Sequence, residues 1–119
     1  MTIVDFVAKG ESLGEWRMVL VEEGPWAGSA DEQLRRIQGR LYGCIDAALD
    51  GQLGENFPES RGSHVVVQLD CYNVPQAAIQ SFFEEFSSNV FLQEDYKAAL
   101  QRCEFVRSMG FEVNFESGR

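Results

Sequence analysis

A single histidine, His64, stands in the whole chain. A Ser-His-Asp or Cys-His catalytic set would have to be built around it, and a histidine-rich zinc site is ruled out. His64 follows Gly62-Ser63 at the start of an expected strand, where an exposed edge residue is common. Cysteine is also scarce: Cys44, Cys71 and Cys103 are odd in number and widely spaced, with no C-x-x-C. That pattern argues against a disulfide framework or a cysteine zinc site. Each cysteine sits among apolar neighbours and reads as a small core hydrophobe in a reducing compartment. Cys44 and Cys103 fall deep inside expected helices, away from the helix starts that would activate a thiol.

Basic residues are few, ten against nineteen acidic ones, for a formal net charge of -9. Residues 1–59 carry 11 acids and 5 bases, and residues 60–119 carry 8 and 5, so no stretch is a pure acidic tail. Nucleic acid and anionic membrane surfaces would be repelled. A basic protein partner would be drawn in. No run approaches the ~20 apolar residues that span a bilayer. Met1-Thr2-Ile3-Val4-Asp5-Phe6 shows no basic leader, so a cytoplasmic protein is expected. Neither a phosphate loop nor a strand-linked G-x-G-x-x-G occurs, and Gly10, Gly14, Gly24 and Gly28 read as turn residues.

What is present predicts one α+β domain over residues 1–119. Residues 3–8 are rich in β-formers, 9–14 are turn-like, and 15–22 form a second strand, together an antiparallel hairpin. Ser29 precedes Glu32 by three residues, the capping-box pattern, and Leu34, Ile37, Leu41, Ile45 and Ala48 mark one stripe of a helix running to Leu49. Asp50-Gly51 ends it. Residues 52–62 read as a loop. Residues 64–72 form a third strand with Val65, Val67, Leu69 and Cys71 on one face. Its other face carries Val66, Gln68, Asp70 and Tyr72, so the sheet is expected to be well covered on one side only. A second helix opens at Pro75 and carries Ala78, Ile79, Phe82, Phe83, Phe86 and Val90. A third is expected over 93–108, then a strand over 111–116 and a frayed end at 117–119. The order β-β-α-β-α-α-β implies a two-layer fold, with helices on one face of a mixed or antiparallel four-stranded sheet.

Several stretches together carry a likeness: Val4-Asp5-Phe6, Val19-Leu20-Val21, Trp26, Leu34, Leu41, Ile45, Gly51-Gln52, Phe57-Pro58 and Val65-Val66-Val67. Over about residues 3–90 the chain resembles a small bacterial family of uncharacterised domains built as hairpin, helix, strand, helix. In that family a Val-Asp opening strand leads to a Trp loop, then to a Leu-Gln-x-Lys-type helix that ends in Gly before an aromatic-Pro. Gln38-Gly39-Arg40 occupies the Gln-x-Lys stretch here. Gly39, Gly43 and the additional C-terminal helix depart from the pattern. The resemblance implies the fold and brings no catalytic residue with it.

Two surfaces stand out as interaction candidates. Gly39 and Gly43 fall opposite Leu41 on the first helix, where each glycine costs roughly 1 kcal/mol against alanine. They would leave a notch rimmed by Arg36, Asp46 and Asp50, with Trp26 nearby as an interface aromatic. The open sheet face would present Asp5, Gln68, Asp70 and Tyr72, and Glu22 and Glu23 end the second strand close by. Convergence of these carboxylates could support cation binding or acid–base work. No calcium-loop spacing is present, and no catalytic, cofactor-binding or metal-binding residue is assigned. The aromatic set Phe82, Phe83, Phe86, Phe91 and Phe105, with Trp16, is expected in the core. These features favour a non-catalytic module that binds a basic protein or a second copy of itself, such as an immunity or antitoxin-type protein. The alternatives are a small-ligand binder or enzyme on the open face, and a subunit of a larger complex.

Overall fold

The computed structural model of the chain describes residues 4–10, 12 and 14–116. Ile3 of the expected first strand, Glu11 and Leu13 of the turn, and the expected frayed end at 117–119 lie outside the described residues. The strands are β1 (Phe6–Lys9), β2 (Glu15–Glu23), β3 (Ser63–Tyr72) and β4 (Val106–Glu116). The helices are α1 (Ala30–Leu49), α2 (Gln52–Asn56), α3 (Gln76–Asn89) and α4 (Glu94–Arg102).

The sheet runs in the order β1-β2-β3-β4. β1 and β2 form the antiparallel hairpin, while β2–β3 and β3–β4 are parallel. The sheet is therefore mixed. Its two parallel crossovers step in the same direction, β2 to β3 through α1 and β3 to β4 through α3 and α4. Crossovers of this kind are right-handed, so two steps in one direction place their helices on the same face. Among the described residues the opposite face has no helix to cover it, which is the physical origin of the one-sided sheet.

The core forms between these layers. Val65, Val67, Leu69 and Cys71 of β3 and Ile37, Leu41, Cys44, Ile45 and Ala48 of α1 are each 0–1% exposed. Ile79, Phe83 and Phe86 of α3 close the other half. Each such aliphatic or aromatic side chain contributes about 1.5–3 kcal/mol by leaving water. Trp16 is buried against Phe57, while Phe82, Phe91 and Phe105 pack half-buried around the core.

The start of α1 matches its sequence signal: Ser29 Oγ accepts from the Glu32 N–H at 3.2 Å. At its end Asp50 is the C-cap and Gly51 takes φ 99°. A Cβ on Gly51 would also lie 2.9 Å from the Phe105 ring. Gly51→Ala should therefore cost at least the roughly 1–2 kcal/mol of a left-handed L-residue. Gly39→Ala, where a Cβ would meet nothing within 4 Å among the described residues, should instead stabilise the protein by up to about 1 kcal/mol. Chemical denaturation of the two variants reads both signs; a loss at Gly39 would show that the glycine is needed there.

Three expectations are corrected. The third helix does not run to Ser108: it ends at Arg102, and Cys103 has an extended backbone (φ -71°, ψ 127°). Val106–Gly110, whose Val106 continued the helical spacing, belong to β4 instead, because the crossover must return to the level of Ser63 where β3 begins. Cys103 is thus half-buried at the helix end, with its Sγ on the Leu49 carbonyl at 3.5 Å. The segment 52–62 is not all loop, since it holds α2 and a 3-10 turn over Pro58–Ser60. The first strand begins at Phe6, because the Asp5 carboxylate accepts from the Val21 N–H at 2.6 Å in place of a backbone partner.

Candidate functional site

The last turn of α1 holds Asp46 and is capped by Asp50, and it contains no basic residue. The carbonyl end of a helix already carries a partial negative charge, so carboxylates there are unfavourable. α4 packs beside this end and brings Asp95, in its own first turn, to the same place. Between the two helices lies a groove of about 530 Å³, lined by Asp46, Leu49, Asp50, Asp95, Tyr96 and Ala99. Leu49, Ala99 and the Tyr96 ring supply its apolar lining, and three exposed carboxylates surround them.

Tyr96 holds the groove in shape. Its ring lies against Tyr42 (centroids 5.4 Å) and edge-on to Phe91 (6.4 Å). Its hydroxyl donates to Asp46 Oδ1 at 3.0 Å. Burial, followed by the hydrogen bond to Asp46, pushes the Tyr96 hydroxyl up to about 12, so it remains a donor at neutral pH. Asp50 accepts from the Gln52 N–H (3.2 Å) and from Gln52 Nε2 (3.1 Å). Among the described residues Asp95 accepts only from the adjacent Tyr96 N–H. Among the described residues no salt bridge reaches any of the three aspartates. Nor are three His, Cys, Asp or Glu side chains grouped among those residues to hold a metal ion. The three charges are spread along a groove, an arrangement suited to an extended cationic surface.

The expected notch is placed differently from the groove. Gly39 is exposed on the outer face of α1, while Gly43 is half-buried. Of its expected rim, Asp46 and Asp50 belong to the groove, but Arg36 is engaged elsewhere. Its Nη2 and Nη1 grip Glu22 at 2.5 and 2.8 Å. Trp26 packs half-buried against the core rather than standing out as an interface residue, with its Nε1 buried and without a hydrogen-bond partner among the described residues.

Asp5 does not join the open sheet face. Its carboxylate turns to the helix side and meets Arg40 Nη2 at 2.8 Å. Glu22 also points under α1, is 2% exposed, and accepts from Arg36 and Arg40. Convergence of Asp5, Glu22 and Asp70 on one face is therefore corrected: two of them anchor α1 to the sheet.

The open face does present Gln68, Asp70 and Tyr72, the last 36% exposed, beside Phe6 at 52%. Its polar groups bond to one another. Arg17 reaches Glu15 (3.0 Å), Gln68 (2.8 Å) and Glu112 (3.1 Å). Gln68 and Asn114 both donate to Asp70, and Asn114 also donates to Glu112. His64 is half-buried, not an exposed edge residue, because β4 pairs beyond it and its Nδ1 lies 2.6 Å from Ser108 Oγ. Burial pushes the Cys44 and Cys71 thiols up to about 12, which leaves them protonated and poor nucleophiles.

Asp95, Tyr96 and Ala99 were not singled out by sequence reasoning as site residues. The only local signal was a carboxylate beside an aromatic on a polar helix, and that pattern is common on solvated surfaces. The chain matches no family model, no curated protein and no solved structure.

Proposed function

We propose that this chain is a non-catalytic protein-binding module whose acidic α1–α4 groove receives a basic segment of a partner protein. The observation that carries this reading is the end of α1, where Asp46 and Asp50 add charge to an already negative helix terminus and Asp95 adds a third carboxylate, with no salt bridge to any of them among the described residues. A lysine or arginine from a partner would relieve that repulsion, and its aliphatic stem would lie on Leu49, Tyr96 and Ala99. The formal net charge of -9 would steer such a partner from a distance. In its specific version the partner is a basic toxin, for example a nuclease, and the chain is an immunity or antitoxin-type protein. The free cysteines suit a reducing, cytoplasmic setting. The carboxylates of the open face are already taken up by Arg17, Gln68 and Asn114, which gives a ligand-binding or enzymatic reading of that face less support.

The test is an amide-shift titration with a synthetic arginine-rich peptide at low and high salt. The expected result is shifts concentrated at Asp46, Leu49, Asp50, Asp95, Tyr96 and Ala99, fading as salt rises. Shifts spread evenly over all acidic surfaces would show that the groove is not a site.

A further inference from the structure

β4 is an edge strand of eleven residues, and among the described residues β3 is its only strand neighbour. No hydrogen bond joins its outer backbone to another segment of the described chain. An edge of this length is normally shortened, covered, bulged or charged to prevent pairing; on β4 the register shift at Arg107 and the charges of Glu112 and Glu116 leave Ser108–Phe111 and Val113–Phe115 regular and uncharged. The side chains tell the same story. On the helix side of β3, Val65, Val67, Leu69 and Cys71 are at most 1% exposed. Their neighbours on β4, Met109, Phe111, Val113 and Phe115, are only half-buried, although all four pack on the core. An apolar row thus lies partly uncovered along an open strand edge.

The sequence of this strand says what fits it. Phe111 is the midpoint of Ser108–Asn114, a stretch in regular register with β3, and its apolar residues are placed symmetrically about it. In an antiparallel self-pairing centred on Phe111, Met109 faces Val113 and Phe111 faces itself, so the apolar rows meet. Ser108 faces Asn114 and Gly110 faces Glu112; the register shift at Arg107 leaves Val106 and Arg107 outside the regular pairing. No two like charges stand directly opposite one another, and the two Glu112 carboxylates flank the axis diagonally, in a chain whose net charge otherwise disfavours self-association. Apolar cross-strand pairs of this kind add to the backbone bonds of the added strand.

We infer that β4 pairs with β4 of a second copy across a twofold axis, giving a continuous eight-stranded sheet with all helices on one side. The interface is isologous, as a twofold requires. It lies on the sheet edge and does not depend on the α1–α4 groove, so either can fail without the other.

Light scattering on the wild-type protein should give about twice 13.4 kDa. Ser108→Lys with Asn114→Lys sets lysine against lysine across the axis and should yield a folded monomer, checked by circular dichroism. Ser108→Glu with Asn114→Lys sets glutamate against lysine and should restore the dimer. Hydrogen exchange on the wild-type protein provides a reading without substitution: amides on the outer edge of β4 should be slow when concentrated and fast on dilution. A wild-type monomer overturns the inference. So does a dimer that survives the double lysine variant, or outer-edge amides whose exchange ignores concentration.

Discussion

Replacing Glu22 with leucine should lower the stability of this protein by about 3 kcal/mol, more than any other single surface or edge substitution considered above. Glu22 is 2% exposed and receives both Arg36 and Arg40. Arg40 in turn donates to the Val21 carbonyl at 2.9 Å and to Asp5 at 2.8 Å. One carboxylate and two guanidinium groups therefore fasten α1 to β2 and to the residues leading into β1. Removing one member of a buried pair costs roughly 3–5 kcal/mol, because the other charge is left without compensation. The lower end applies here, since the Arg36 and Arg40 side chains keep 46% and 21% of their exposure. Glu22→Gln, which retains an acceptor without the charge, should cost less.

The pH dependence follows from the same cluster. Burial alone would raise the Glu22 carboxyl, but the hydrogen bonds from Arg36 and Arg40 outweigh it and hold the group below its ordinary 4.5. A carboxylate depressed in the folded state stabilises fully above its unfolded value and loses that contribution as pH falls through its folded value. The gap between wild type and Glu22→Gln should thus be constant near neutrality and close below about pH 4.5. Asp5, held down by the Val21 N–H and Arg40, and Glu112, held down by Asn114 and Arg17, leave part of the acid sensitivity in the variant. Urea denaturation across a pH series measures the gap. A gap that stays the same well into acid would mean that packing, not charge, accounts for the loss.

Neutralising the groove should separate binding from stability. Asp46→Asn, Asp50→Asn and Asp95→Asn together should slow association with a basic partner by about tenfold or more at low salt, with the difference shrinking as salt rises. The individual effects on stability should differ in sign. Asp46 and Asp50 sit at the negative end of α1, so their neutralisation should stabilise by about 0.3–1 kcal/mol each. Asp95 sits in the first turn of α4, where a carboxylate is favourable, so Asp95→Asn should cost a similar amount. Asparagine keeps an oxygen for Tyr96 and for the Gln52 N–H, which limits disturbance of the groove walls. Stopped-flow association and thermal melts of the three single variants test the pattern. Unchanged association in the triple variant would remove the groove from the account of function.

The sequence by itself determined those features whose cause is local. Ser29 with Glu32 set the start of α1, Asp50-Gly51 set its end, and the alternation of β3 assigned Val65, Val67, Leu69 and Cys71 to the core. The class of fold followed from the order of these elements. Tertiary structure alone decided which elements became neighbours. Strand order was settled by handed crossovers, and with it the bare sheet face. Val106–Ser108 became strand rather than helix because β4 had to run alongside the full length of β3. Strand alternation puts Glu22 on the helix side with Leu20 and Cys71, but only the tertiary structure decided that Arg36 and Arg40, residues many positions distant, would meet Glu22 and Asp5 there. The groove needed Asp46 and Asp50 from one helix and Asp95 and Tyr96 from another. Local pattern encodes which face of an element is buried. It does not encode which distant side chain will satisfy a charge, since that depends on how the whole chain closes over its core.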